Sequence, residues 1–370
     1  MLRLAVCGNV FPFLEAKDVL AAIQGPLTSW AKQVSPDATP VGLGLALSAS
    51  SADTFFTDPE ARETLKDALK CAGLQVWTGN AFVFGDFHGG PVKEQAFLPD
   101  WTSPDRLEAT LKAAEVLAQL QDSPGRVSLS TCPLGYGPQA KDDAMTPRLL
   151  ERLSHGLAWL ESRTGVKVVI GFEPEPDGTF ETQASFAQWL TKKGLNSPHL
   201  GLCWDLCHGE VVGENSEELL HVVQKAEVPI AKVQISSALQ WKGEPALADQ
   251  VWLQKLAQDR WFHQVRGRMA DGTTQRWPDL APALQAWEEW GFPEKTWVHC
   301  HVPVHQEGFG ASLEATPWQA AAQRAEEAGV GDFEVETYTL STLPGSEGGE
   351  KFVLETMAKE YLAARSFFNA

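Results

Sequence analysis

Four polar residues stand where an alternation of buried strands and helices would place chemistry. Glu173 ends the apolar run in KVVIGFEPEPDG, Asp205 ends that in LGLCWDLCH, Gln234 lies in KVQISSA and Glu336 in FEVETYT. A carboxylate directly after a fully buried parallel strand is costly unless it is paired or bound to a metal. Any one of them alone reads as an ordinary rim residue. Together they supply four oxygen ligands from four successive strands. That set suits a hard or borderline divalent cation such as Mg2+ or Mn2+, with positions left for water and substrate.

Histidines form the second group. His299 and His301 alternate in a strand-like run at 296–302 and so face one side, with His305 just beyond Pro303. Such a pair is either a transition-metal ligand set or a hydrogen-bonded polar wall of a pocket. His88, next to Gly89-Gly90, has the backbone freedom to reach a ligand, or is a plain loop residue. His155, His221 and His263 fall in helical patterns and read as surface or satisfied positions. Lys93 and Arg106 are best read as salt-bridge partners. Cys203 and Cys207 flank Asp205 and read as packing residues.

The elements that must position these groups are legible as short apolar runs at 2–6, 41–47, 74–78, 127–131, 166–172, 200–204, 230–235 and 333–336. Helical patterns lie between them, opened by pairs such as Ser103-Pro104 and Thr146-Pro147 and closed by glycines such as Gly73. Strand then helix, repeated eight times, predicts a (β/α)8 TIM barrel. A doubly wound open sheet is the alternative, but neither GxGxxG nor GxxxxGK[ST] occurs. The steps after strands three and seven are long. The second spans about 236–332 and contains the run at 296–302. Loops after barrel strands build the active site, so both insertions should wall it. We read residues 1–370 as a single domain, with a flexible LPGSEGGE loop before a last helix.

Composition narrows the partners. Lys and Arg number 30 against 48 acids, a formal charge of −18, which repels phosphate backbones and anionic membranes. No signal peptide and no apolar stretch of membrane-spanning length is evident. The six cysteines are sparse and form no CxxC, as expected of a reduced cytoplasmic protein. Oligomerisation is left open. Tryptophan is in surplus: seven of the 14 (Trp241, Trp252, Trp261, Trp277, Trp287, Trp290 and Trp297) fall in the second insertion. They predict an aromatic wall over the site and a substrate larger or more apolar than a bare sugar.

The order acid, acid, Gln, acid on strands five to eight resembles the xylose-isomerase-like barrel superfamily of sugar isomerases, epimerases and hydroxypyruvate isomerases. FVFGDFHGGPVKEQAFLPDW (82–101), FEPEPDGTFET (172–182), LGLCWDLCH (200–208), HCHVPVH (299–305) and FEVETYT (333–339) resemble one branch, the Ebo-cluster metabolite-traffic proteins of the EboE type. Phe11 departs from that branch, which usually has His there. The resemblance implies that Glu173 and Glu336 both bind the metal and move protons on opposite sides of a substrate carbon. It makes Asp205 a pure metal ligand and Gln234 a ligand where many epimerases have His. It implies substrate contacts for His208 and Glu181, to which the sequence adds His88, His299 and His301 as candidates. The implied cofactor is a divalent ion (Mn, Mg, Zn or Co), with no dinucleotide. The implied activity is a metal-dependent isomerase or epimerase acting on a small hydroxy-carbonyl or sugar-like metabolite in secondary-metabolite biosynthesis or trafficking. The alternative is a binding or handover protein on the same barrel. An AP-endonuclease-like phosphodiesterase would need a basic surface, which −18 opposes.

Overall fold

The computed structural model describes residues 2–89 and 93–369. Eight parallel strands close into a barrel: β1 (Arg3–Cys7), β2 (Val41–Ala46), β3 (Leu74–Asn80), β4 (Gly125–Thr131), β5 (Val166–Phe172), β6 (Leu200–Asp205), β7 (Ile230–Ile235) and the last barrel strand (Asp332–Val335). The predicted fold class is therefore the observed one. Each apolar run became a strand within two residues of its expected ends, because runs buried on both faces pair only in parallel under a layer of helices.

Cap chemistry set most helix ends as expected. Ser103 accepts the Asp105 amide ahead of Pro104, and Gly73 closes the helix Pro59–Ala72 in the left-handed conformation, φ 69°. The helix expected to open at Thr146 instead spans Met145–Thr164. Asp143 accepts the Met145 amide at 2.6 Å, while the Thr146 hydroxyl turns inward to the Ala140 carbonyl. The segment at 343–350 is two short turns leading into the helix Glu350–Phe368.

Immediately after β7 the chain leaves the barrel. It builds a second, antiparallel sheet from β8 (Ser237–Lys242), β9 (Val265–Arg268), β10 (Thr274–Trp277), β11 (Lys295–Val302) and β12 (Glu314–Ala315), in the order β10-β9-β11-β8-β12. With these introduced, the last barrel strand, Asp332–Val335, is β13. The run expected at 296–302 is β11, the central strand of this sheet.

The tryptophans of this insertion correct the expected wall. Trp241 and Trp287 meet edge to face with centroids 6.0 Å apart, and Trp277 packs against Trp287 at 5.6 Å. They form the core between the sheet and the helix Leu280–Trp290. Trp252 packs on Phe309, Trp290 is exposed, and only Trp261 reaches the cleft described below. A small sheet needs large apolar side chains to make a core of its own, and that need absorbs most of the surplus.

The barrel interior is unusually polar at mid-height. Lys232 on β7 and Glu334 on β13, both fully buried, form an ion pair. Gly44 makes room for it: a Cβ there would lie 1.5 Å from Glu334 Oε1. At the opposite end from the site, Asp332 is held by Arg3 at 2.7 Å and by Arg126.

Candidate metal and active site

The carboxyl ends of β5, β6, β7 and β13 carry the four expected residues. Parallel register sets Asp205 beside Gln234 and Gln234 beside Glu334, so these side chains share the inner face at related heights. One oxygen each from Glu173, Asp205 and Glu336 lie within 4.8 Å of one another.

Their surroundings orient them and leave one oxygen of each free. Asp205 Oδ1 accepts the His208 amide at 2.8 Å and the Ser236 hydroxyl at 2.9 Å, while Oδ2 has no partner. Glu336 Oε1 accepts from Asn9 Nδ2 at 2.7 Å, and its Oε2 has no partner. Glu173 Oε2 is likewise unpartnered. Unpartnered buried carboxylate oxygens are rare because each forfeits its hydration. Three such carboxylates, with one oxygen of each within 4.8 Å of the others, fit a divalent cation. Burial, with Glu336, Asp205 and Glu175 close by, holds the Glu173 carboxyl well above its usual range. Burial, with Asp205 and Glu334 adding to it, does the same for Glu336 despite Asn9 and Lys232.

Gln234, the fourth expected ligand, presents its Oε1 to the Cys203 thiol at 3.0 Å, and its Nε2 is unpartnered. Cys203, read as packing, is thus also a donor.

Beside the carboxylates lies a histidine cluster delivered by the insertion. His299 and His301, on β11, and His208, on the helix Leu206–Val212, are all buried. Gln264 Nε2 donates to the Pro176 carbonyl, so Gln264 Oε1 must accept the His299 Nδ1 proton, at 2.7 Å. That assigns His299 Nε2 as a bare lone pair, and it has no partner. His301 Nδ1 donates to the Glu336 carbonyl at 3.0 Å. Its Nε2 then accepts from His208 Nε2 at 3.4 Å, leaving His208 Nδ1 free, 3.8 Å from Asp205 and 3.9 Å from Glu173. Burial is the main cause that pulls His208 down to about 4 and His299 well below its usual value. Both are neutral at pH 7.

Part of this cluster lines a cleft of about 660 Å3, open mouth included. Its floor is Glu173, Glu175, His208, His299, Glu336 and Asn9, and its upper wall is aromatic: Phe13, Phe82, Phe87, Phe97, Phe262, Trp261 and Tyr338. Three of these phenylalanines come from the insertion after β3. Arg106 holds that insertion by donating to the carbonyls of Ala81, Phe82, Phe97 and Pro99. It makes no salt bridge among the described residues, contrary to expectation, because four backbone carbonyls take up its buried guanidinium. Lys93 behaves as expected, pairing with Asp279 at 2.6 Å.

Several candidates lie elsewhere. Glu181 is outside the cleft, ion-paired with Arg266 at 2.5 Å and Arg276 at 2.6 Å. The acid that enters the cleft from that loop is Glu175, whose Oε1 is buried without a partner; burial and the nearby Asp205 raise its carboxyl well above the usual range. Two residues after Glu173, it shares the alternation that sets a common face, and that spacing was the available signal. His88 stands behind the wall, its Nε2 on the Asn9 carbonyl at 2.9 Å and its ring against Phe13 and Phe87. His305 lies off the cleft beside Phe309 and Phe352. His155 and His221 are exposed on helices as expected. His263 is not helical: it is buried, bonded to the His299 carbonyl at 3.0 Å.

The profile described as xylose isomerase-like TIM barrel matches residues 44–274, more than half of the chain. The chain belongs to the xylose isomerase-like TIM barrel family. Among solved structures, it is similar to the probable 3-DHS dehydratase AsbF involved in petrobactin synthesis from Bacillus anthracis, with 12% identity, 96% of this chain and 97% of that one covered, and a TM-score of 0.48. It is similar to D-allulose 3-epimerase from Methylomonas sp. (12%, 99% and 96%, 0.47) and to a xylose isomerase-like TIM barrel protein from Mycobacterium smegmatis in complex with magnesium (12%, 98% and 98%, 0.48). Among curated proteins none matches. Identities and TM-scores this low leave activity to the chemistry of the site itself. Among the described residues, no helix is long and apolar enough to cross a membrane.

Proposed function

We propose that this xylose isomerase-like barrel is a metal-dependent isomerase or epimerase that moves a proton on a small hydroxy-carbonyl or sugar-like metabolite. The observation that carries this reading is the convergence of Glu173, Asp205 and Glu336, each with a buried, unpartnered oxygen, where Glu173 and Glu336 line a cleft and Asp205 lies behind them. Glu173, Asp205 and Glu336 would hold the ion, and Gln234 would join them if its amide turned its oxygen from Cys203. A divalent ion there supplies Lewis-acid polarisation of a carbonyl and its neighbouring hydroxyl, which acidifies the C–H between them.

Glu173 and Glu336 come from strands separated by β6 and β7, so they approach a substrate from different sides. One, ionised, removes the proton, and the other, protonated, delivers its own proton to the opposite face or to the adjoining carbon. Their raised proton affinity, set first by burial, suits them to take up and give back a proton. Asn9 steadies Glu336 through Oε1 and leaves Oε2 without a partner. Aromatic side chains above exclude water from the reacting carbon.

The test is proton exchange. In D2O with Mn2+, a panel of ketohexoses, hydroxypyruvate and aryl hydroxyketones is followed by NMR. Deuterium wash-in at one carbon, lost in Glu173→Gln and in Glu336→Gln, supports the reading; no wash-in with any member of the panel counts against it. The aromatic wall favours a second reading, a metabolite-binding or handover protein of an Ebo-type cluster. It expects quenching of Trp261 fluorescence by aryl ligands without exchange.

A further inference from the structure

The cleft floor holds three hydrogen-bond acceptors that the carboxylate triad does not use. Glu175 Oε1, His208 Nδ1 and His299 Nε2 are buried and without a partner. One polar atom from each of the three residues lies within 4.8 Å of the other two. Both imidazoles turn bare lone pairs to the cleft, because Gln264 takes the His299 Nδ1 proton and His301 takes the His208 Nε2 proton. The Glu175 carboxylate completes an all-acceptor set. A buried acceptor without a donor forfeits a hydrogen bond, so the set calls for a group that is rich in donors.

Geometry names that group. Three acceptors placed around an ammonium nitrogen, each about 2.9 Å away at the tetrahedral angle, stand about 4.7 Å from one another. A primary ammonium presents three N–H donors in that arrangement and accepts nothing. A hydroxyl presents one donor and leaves two of the acceptors unpaired. Charge selects the same group. Glu173, Glu175, Asp205 and Glu336 carry four formal negative charges, and one divalent ion at the triad offsets half of them. Lys93, the one lysine or arginine lining the cleft among the described residues, is committed to Asp279, and Lys232 below is committed to Glu334. No side-chain cation is left for a substrate anion, whereas a substrate monocation offsets part of the remaining charge. Trp261, Phe262 and Tyr338 in the same cleft add aromatic faces that attract cations.

We propose that the substrate is an amino-bearing hydroxy-carbonyl compound whose primary ammonium group is held by Glu175, His208 and His299. This deepens the isomerase or epimerase reading and rests on it for the reacting carbon. Asp205 accepts the His208 amide, so the acceptor set adjoins the carboxylate triad and the ammonium lies close to the polarised carbonyl. His299 comes from β11, so the inserted sheet supplies part of the selectivity.

Matched pairs test it on the full chain loaded with Mn2+ at pH 7. The pairs are α-aminoacetophenone against α-hydroxyacetophenone and 1-amino-1-deoxy-D-fructose against D-fructose, titrated by calorimetry. The amine of at least one pair is expected to bind about tenfold more tightly than its hydroxy partner, the worth of one charge-assisted hydrogen bond. Glu175→Gln and His299→Phe are expected to bring that ratio close to one while still binding Mn2+, which reports that the barrel has folded. Equal affinities within both pairs, or an amine preference that survives in Glu175→Gln, overturns the proposal. A divalent ion retained at Glu175, His208 and His299 in the presence of the amine also overturns it. Amine-selective binding without deuterium wash-in supports the acceptor set and counts against proton exchange; wash-in without amine preference does the reverse.

Discussion

Gln264 fixes the tautomer of His299: its Oε1 accepts the Nδ1 proton at 2.7 Å while its own amide is pinned to the Pro176 carbonyl. Gln264→Leu should therefore free the His299 ring and strand the Pro176 carbonyl. Leaving that buried carbonyl and the His299 Nδ1 proton unpaired should cost about 1–3 kcal/mol of stability. Urea unfolding measures it, and a stability equal to that of the unaltered protein would refute the relay.

Metal affinity should fall with acid. Glu173, Glu175 and Glu336 are all held above the usual carboxylate range, first by burial, and a cation needs them deprotonated. Apparent affinity for Mn2+ or Co2+ should drop about tenfold per pH unit for each proton displaced. Calorimetric titration at pH 8, 7 and 6 reads the slope; a flat profile would mean that the carboxyls are already ionised.

Glu360 offers a pH test remote from the cleft. Burial pushes its carboxyl up to about 7, against the hydrogen bonds from Thr337 and Val304. Its folded value lies above the unfolded one, so the folded protein keeps the proton across the window from about 4.3 to 7 and stability falls as pH rises through it. Glu360→Gln removes that slope. Its stability relative to the parent should rise by about 3 kcal/mol between pH 4 and pH 8. Urea unfolding at both pH values measures it, and parallel slopes would exclude the assignment.

The Lys232–Glu334 pair sets a fourth test. Lys232→Met leaves Glu334 buried and uncompensated, at a cost of about 3–5 kcal/mol. Adding Glu334→Gln should recover most of the loss, because the buried charge is gone. Chemical unfolding of the single and double variants decides; equal stabilities would show that the pair contributes nothing.

Much of this molecule was legible before folding. Runs buried on both sides, capped helices and the missing phosphate-binding glycines pointed to the barrel. Glu173, Asp205 and Glu336 were visible because a charge after a buried strand has few inexpensive explanations. Those signals are local, and local chemistry is what a chain displays in order.

The rest required contacts between distant segments. Glu175 rather than Glu181 enters the cleft because Arg266 and Arg276, some 85 and 95 residues further on, draw Glu181 aside. The tryptophans became a core because five antiparallel strands closed over them, and the mouth was left to phenylalanines held by Arg106. His299 faces the acids just past Val298, where β11 leaves its regular pairing with β9 and shifts register against β8, and slipping it by one residue would turn that ring to the other face. The sequence alone determined which groups could do chemistry at the ends of the barrel strands. Only the tertiary structure decided which histidines lie beside them, because that depends on long-range pairing between an inserted sheet and the barrel it covers.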